Sequence, residues 1–286
     1  MFSRTKTLKE SFQHFQHLIQ NTYQVEEARS IAQLVFKDVL GYDTIKLILN
    51  ENDLIPAPLF EQLDQIAYLL NQHQPVQYIL GHEEFMGLKF IVNPNVLIPR
   101  PETEELVLWI IDDYKSKGLV NIIDIGTGSG CIAVSIKKNL AQANVDAIDV
   151  SKDALNIASK NAKQNDIEVN FILSDILNDQ LSKQYDVIVS NPPYVLDQEK
   201  SLMQKNVLDF EPHLALFVED HNPLLFYDRI VKLSLEYLNS KGSIYFEINE
   251  AYAKETMDLF DKSIWESVEL RKDIRGKDRM IKATKV

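Results

Sequence analysis

The stretch from Tyr185 to Tyr194, reading Tyr-Asp-Val-Ile-Val-Ser-Asn-Pro-Pro-Tyr, leaves this chain few choices. Asp186 to Ser190 is a largely apolar, β-branched run too short for a comfortable helix, and two consecutive prolines stop any strand ladder directly after it. A strand therefore ends at Asn191. Pro192 holds Asn191 extended, and neither Pro192 nor Pro193 has an N–H to occupy a neighbouring carbonyl. The Asn191 side chain and the carbonyl that follows it can face a ligand, with the ring of Tyr194 beside them. Two amide-type acceptors and an aromatic face at the end of a buried strand make a holder for a small planar group carrying an NH2. Taken alone, Asn-Pro-Pro-Tyr also reads as a turn that merely ends a strand.

The residues upstream bear on that choice. Asn121 to Ile125 is a short buried strand that runs into Gly126-Thr127-Gly128-Ser129-Gly130, and an apolar helix follows at once. Glycines at alternate positions let the backbone turn tightly and approach a ligand closely. The spacing is G-x-G-x-G rather than the dinucleotide G-x-G-x-x-G. The next strand, Asn144 to Ile148, ends in Asp149, placed where a carboxylate accepts from the ribose hydroxyls of a nucleoside. A third, Val169 to Leu173, leads into Ser174-Asp175-Ile176, where Asp175 suits an exocyclic amino group and Ile176 the face of a base. Each acidic residue taken singly also reads as a strand-end cap. Successive strands that all end in polar groups point to one sheet edge, where open α/β sheets bind ligands.

The rest of the chain sets the frame. From Thr7 to about Gln72 apolar residues recur at three and four: Phe12, Phe15, Leu18 and Ile19, then Ala28, Ile31, Ala32, Leu34 and Val35, then Leu59, Leu63, Ile66, Leu69 and Leu70. The spacing predicts three to five short helices whose stripes are core. Glu84 to Met86 and Leu88 to Val92 read as a hairpin punctuated by Gly81, Gly87 and Pro94-Asn95. The expected domains are a helical one over 1–74, suited to recognising a macromolecule, a hairpin linker over 75–100, and an α/β one over 101–286. Pro101 or Thr103 opens a helix, with Glu102 and Glu104 either helix-start residues or part of a site wall. Residues 195–222 read as a loop, either a lid or plain surface. Helix and strand then alternate to a closing pair around Arg275-Gly276-Lys277-Asp278, giving a mostly parallel sheet with an antiparallel edge strand.

Charge and cysteine usage narrow the function. A net charge of −12 argues against affinity built on neutralising phosphates. One cysteine, Cys131, excludes an internal disulfide framework and reads as a small buried filler; the six histidines show no metal-ligand spacing. No run of about 18 apolar residues and no export signal is seen, so a cytoplasmic protein without a membrane or metal role is expected.

The order of Gly126-Thr-Gly-Ser-Gly130, Asp149, Ser174-Asp175 and Asn191-Pro-Pro-Tyr194 resembles the class I S-adenosylmethionine-dependent methyltransferases. Tyr78-Ile-Leu-Gly81, Phe85-Met-Gly-Leu-Lys-Phe90 and Val96-Leu-Ile-Pro-Arg-Pro-Glu-Thr-Glu104 resemble one branch of these, the peptide-chain release factor glutamine methyltransferases, and the likeness runs from about Pro75 to the end. It departs at Ile176, where a larger side chain is the expectation, and at Phe246-Glu-Ile-Asn-Glu250, where a glycine is. The resemblance implies a Rossmann-like sheet and methylation of the side-chain amide nitrogen of a glutamine in the Gly-Gly-Gln motif of class 1 release factors. S-adenosylmethionine would be held by Gly126, Thr127, Gly128, Ser129, Gly130, Asp149, Asp175, Ile176 and Asn191, and leave as S-adenosylhomocysteine. Asn191, Pro192, Pro193 and Tyr194 would hold the glutamine, with Asn191, Pro192 and Tyr194 carrying the chemistry. Asn-Pro-Pro-Tyr is shared with enzymes that methylate adenine amino nitrogens, so a nucleic-acid methyltransferase is the rival reading, and a non-catalytic nucleoside-binding module a further one.

Overall fold

Apolar stripes at helical spacing fold as helices in the first part of the chain. In the computed structural model, which describes residues 7–286, these are α1 (Leu8–Ile19), α2 (Val25–Leu40), α3 (Thr44–Leu49), α4 (Ala57–Asn71) and α5 (Val76–Leu80). Their ends follow local chemistry. Thr7 and Glu10 form a reciprocal capping box at the start of α1. Gly41 and Gly81 end α2 and α5 in the left-handed region, at φ 67° and 79°. Phe15, Ile19, Ala28, Ala32, Val35, Phe36, Leu63 and Leu70 form the core, while Phe12, Leu18 and Ile31 are only partly covered. The short α5 has no strong stripe in the sequence; it forms because Tyr78 is buried and Val76, Ile79 and Leu80 pack on that core.

The described chain separates into two compact units. One holds the described residues up to Gly81 together with Gln204–Phe210; the other holds His82–Met203 and Glu211–Val286. The hairpin of β1 (His82–Phe85) and β2 (Leu88–Ile91) thus belongs to the larger unit. Its two-residue turn, Met86-Gly87, has positive φ at both positions, 51° and 72°, as the twist of a tight hairpin demands.

Beyond the hairpin, strands and helices alternate: α6 (Pro101–Tyr114), β3 (Asn121–Ile125), α7 (Cys131–Asn139), β4 (Asn144–Asp149), α8 (Lys152–Gln164), β5 (Asn170–Leu173) and β6 (Tyr185–Ser190). After β7 (Val195–Leu196), α9 (Lys205–Leu208), α10 (His213–Leu216) and β8 (Phe217–Val218) come α11 (Leu225–Tyr237), β9 (Leu238–Glu247), α12 (Ala253–Met257), β10 (Trp265–Lys272) and β11 (Asp278–Lys285). Seven strands form one sheet in the order β10-β11-β9-β6-β3-β4-β5, and the pairs from β9 through β5 are parallel. The sheet's antiparallel strand, expected at the edge, is β11, one place inside it. It pairs antiparallel with both β9 and β10 because the chain runs out along the edge and returns between them.

Alternate residues of the central strands serve two cores. Ile122, Val187, Val189 and Tyr245 pack with α6 and α7, while Ile123, Ile125, Ile188 and Phe246 pack with α11. The 195–222 segment is not the loop expected. Val195–Leu196 pairs parallel with Phe217–Val218, Tyr194 N donates to Leu216 O at 3.2 Å, and a 3-10 helix over Asp197–Leu202 precedes α9 and α10. Its elements are too short to carry a periodic signal, and its ends are held by pairing remote in sequence.

Buried Asn161 of α8 ties hairpin to sheet. Its Oδ1 accepts from Ile91 N at 2.6 Å, and its Nδ2 donates to Ile91 O at 3.0 Å and to Ser129 O at 2.9 Å. Asn161→Ala strips these partners at once. Chemical denaturation of the variant is expected to show a loss of about 2–3 kcal/mol, and an unchanged midpoint would remove Asn161 from this role.

Candidate active site

The sheet reverses its winding at β3, which has β4 on one side and β6 on the other. Such a switch point opens a crevice at the C-terminal ends of the strands. Ile125 is in register with both Ile148 and Ser190, and Ser190 Oγ donates to Ile125 O at 2.7 Å, so the loops after β3, β4 and β6 leave from one level. Between them lies a cavity of about 270 Å3. Of the residues singled out in the sequence, Gly126, Thr127, Gly128, Ser129, Asp149, Asp175, Ile176, Asn191, Pro192 and Pro193 line it. Gly130 and Tyr194 do not: Gly130 caps α7 against Ala158, and Tyr194 turns its hydroxyl to Glu247. Neither Glu102 nor Glu104 is on the wall; Glu102 faces Arg275 at 3.5 Å, and Glu104 accepts from Met86 N.

The glycine loop is held both by its neighbours and by its own turn, in which Gly130 N donates to Thr127 O at 2.8 Å. Gly126 N and Thr127 N both donate to Ile148 O, at 2.9 and 3.0 Å. Gly126, Gly128 and Gly130 all have positive φ, and beside the first two a side chain would meet open space. That space is the room a ligand needs to approach the backbone. Asp149 is fixed from both sides, Oδ2 accepting from Gly128 N and Oδ1 from Ser151 N, each at 2.8 Å. Burial raises its carboxyl above the usual range, and these N–H groups oppose the shift. Asp175 caps its own turn, accepting from Leu177 N at 3.0 Å and Asn178 Nδ2 at 2.7 Å, while Ile176 joins the apolar wall with Phe226 and Ile230.

At the other lip, Asn191 Nδ2 lies 3.4 Å from Thr103 Oγ1, which donates to Glu247 Oε2 at 2.6 Å. Among the described residues no donor reaches Asn191 Oδ1 or the Pro192 carbonyl. Glu211, buried, accepts from Ile98 N at 3.1 Å and pairs with Arg100, which pins the Leu97–Arg100 wall.

A glycine loop and an Asn-Pro-Pro strand end share one crevice. Residues 106–214 match the Methyltransferase small domain model and residues 10–81 the PrmC N-terminal domain model. A release factor glutamine methyltransferase of Flavobacterium psychrophilum is 46% identical over 94% of this chain and 95% of its own length. That of Bacteroides thetaiotaomicron is 44% identical over 93% and 96%. This chain belongs to the release factor glutamine methyltransferase family. A methyltransferase from Pyrococcus furiosus shares the fold, with a TM-score of 0.51, 19% identity, and coverage of 70% of this chain and 89% of that one.

In this family member, the wall and support residues that escape sequence reasoning include Phe226, Thr103 and Glu247. Only Glu247 leaves a trace, as a lone carboxylate inside the apolar strand Ile244 to Ile248. Cys131 behaves as the filler expected: it is buried, and burial pushes its thiol up to about 12.

Asp124, fully buried behind the glycine loop, accepts from Thr127 Oγ1 at 2.6 Å and has one oxygen without a partner. Burial raises its carboxyl from 3.8 to about 7. Between pH 4 and 7 the folded chain therefore keeps a proton that the unfolded chain releases, so this group's contribution falls as pH rises. Asp124→Asn removes the dependence. The stability difference between variant and parent should shift in the variant's favour from pH 4 to pH 7, by at most about 4 kcal/mol, and a difference that stays flat would refute the buried-proton account.

Proposed function

We propose that this chain transfers a methyl group from S-adenosylmethionine to the side-chain amide nitrogen of a glutamine in a class 1 peptide-chain release factor. The observation that carries the proposal is the pair of unclaimed acceptors, Asn191 Oδ1 and the Pro192 carbonyl, at the lip of the cavity that the glycine loop lines. The names of relatives 46% and 44% identical over nearly the whole chain support it over the adenine-N6 reading, as does the net charge of −12.

The cavity fits S-adenosylmethionine. Open space beside Gly126 and Gly128 admits a close approach, the Asp149 carboxylate suits ribose hydroxyls, Asp175 suits an adenine amino group, and Ile176, Phe226 and Ile230 suit its ring. When bound, it supplies a methyl already activated on a sulfonium. The problem left to the protein is a poor nucleophile, since an amide nitrogen's lone pair is tied up in resonance. With its two N–H groups given to Asn191 Oδ1 and the Pro192 carbonyl, the glutamine amide is held in one plane. Its nitrogen then faces the cavity. Pro193 packs beside it, while Tyr194, outside the cavity wall, is turned to Glu247 and supports the turn from behind. Holding reacting atoms about 3–3.5 Å apart supplies several kcal/mol of the barrier as orientation alone. Transfer would form the N–C bond as the S–C bond breaks with its electron pair left on sulfur, and the amide nitrogen would release one proton to solvent. Neutral Asn191 accepts without needing to titrate. The helical unit, with a core of its own, serves as the release-factor recognition domain, and the reaction belongs in the cytoplasm, where translation ends.

Labelled S-adenosylmethionine offered with a release factor, duplex DNA and ribosomal RNA should label only the release factor, at glutamine. Label on nucleic acid would overturn the reading. Asn191→Ala should lower kcat at least about 100-fold while cofactor affinity changes little. Asp149→Ala should weaken cofactor binding by about 10-fold or more in calorimetry; full affinity would take Asp149 out of the site.

A further inference from the structure

A primary amide turned over by 180° keeps its shape but exchanges its acceptor for its donors. The reading proposed above, on which this inference rests, needs the Asn191 acceptor turned toward the glutamine. What sets that choice lies behind Asn191. Thr103 Oγ1 stands 2.6 Å from Glu247 Oε2, and Asn191 Nδ2 stands 3.4 Å from Thr103 Oγ1. Thr103 Oγ1 donates to Glu247 Oε2, so its single hydroxyl proton is committed there. Thr103 then has only lone pairs to offer, and Asn191 must meet it with its NH2. The Asn191 oxygen is left facing away from Thr103, unclaimed.

The second oxygen of the same carboxylate accepts from Tyr194 Oη at 3.1 Å. One buried carboxyl thus orders both polar side chains of the Asn-Pro-Pro-Tyr turn. Thr103 and Glu247 are only 3% and 2% exposed, so water hardly competes for these bonds. Glu247 is itself anchored by its main-chain carbonyl, which accepts from Tyr227 Oη at 3.0 Å. Burial raises the Glu247 carboxyl above its usual range, opposed by the Thr103 hydrogen bond and by the positive charge of Arg279, which is itself held by Asp273 and the Ile248 carbonyl.

We propose that Thr103 and Glu247 are positioning residues for methyl transfer: Glu247 polarises the Thr103 hydroxyl in one direction, and Thr103 in turn locks the Asn191 amide with its oxygen toward the acceptor glutamine. Neither needs to touch the reacting atoms. Their effect is on how often the bound amide is aligned, so it falls on kcat and leaves binding alone.

The full-length enzyme is tested with a release factor and labelled S-adenosylmethionine. Thr103→Val keeps the shape and removes the hydroxyl. It should lower kcat by about 10- to 100-fold, with the KM for release factor and the Kd for S-adenosylmethionine each moving less than about threefold. Thr103→Ser, which keeps the hydroxyl, should restore most of the rate. A Thr103→Val enzyme with parental kcat overturns the proposal. So does a Thr103→Ser enzyme as slow as the valine variant, because the loss then comes from packing. Should the valine variant fail to fold by its thermal melt, Thr103→Ala carries the same comparison. A parent enzyme that does not methylate the release factor instead defeats the underlying activity, and that result is read before any variant is compared.

Discussion

The adjacency of β3 and β6, in register at Ile125 and Ser190, is the constraint on which the site depends. Parallel neighbours end at the same side of a sheet, so the glycine loop after one and the proline-stopped turn after the other must emerge together. The Ser190 hydroxyl on the Ile125 carbonyl fixes their relative height. A slip of one residue along β6 would turn Asn191 to the opposite face and separate its acceptors from the glycine loop. Burial on both faces, by two different sets of helices, makes such a slip expensive.

The carboxylates at and behind this edge follow one rule: each is satisfied by main-chain N–H groups or by neighbouring polar side chains. Asp149 takes Gly128 and Ser151, Asp175 takes Leu177 and Asn178, and Glu247 takes Thr103 and Tyr194. Such bonds offset the desolvation of the charge while fixing the direction in which its remaining lone pairs point. Asp124 is the exception, with one oxygen unpartnered. Burial accordingly raises its carboxyl to about 7.

Strand ends were legible in the sequence because each is written locally, by a short apolar run followed by glycine, by proline or by a polar, acidic residue. Gly126, Asp149, Asp175 and Asn191 line the same cavity for that reason. What stayed hidden depends on partners far along the chain. Thr103 and Glu247 lie 144 positions apart, and no local pattern announces that they meet. The two-residue strands β7 and β8 and the five-residue α5 carry too few residues for a period to show, and the inward place of β11 is a matter of topology rather than composition. Phe226 at the cavity wall looks, in the sequence, like any apolar residue near the start of a helix.

The grouping of Gln204–Phe210 with the helical unit bears on how such a protein can be cut or recombined. A single break after Gly81 would not yield two self-contained pieces, because seven residues of the second would leave their packing partners in the first. Grafting the helical unit onto another member of the family would require three crossovers, one after Gly81 and one at each edge of the insert. Separately expressed fragments would carry a stretch of orphaned backbone, so inheritance of the two units as a single block is the arrangement the covalent path favours.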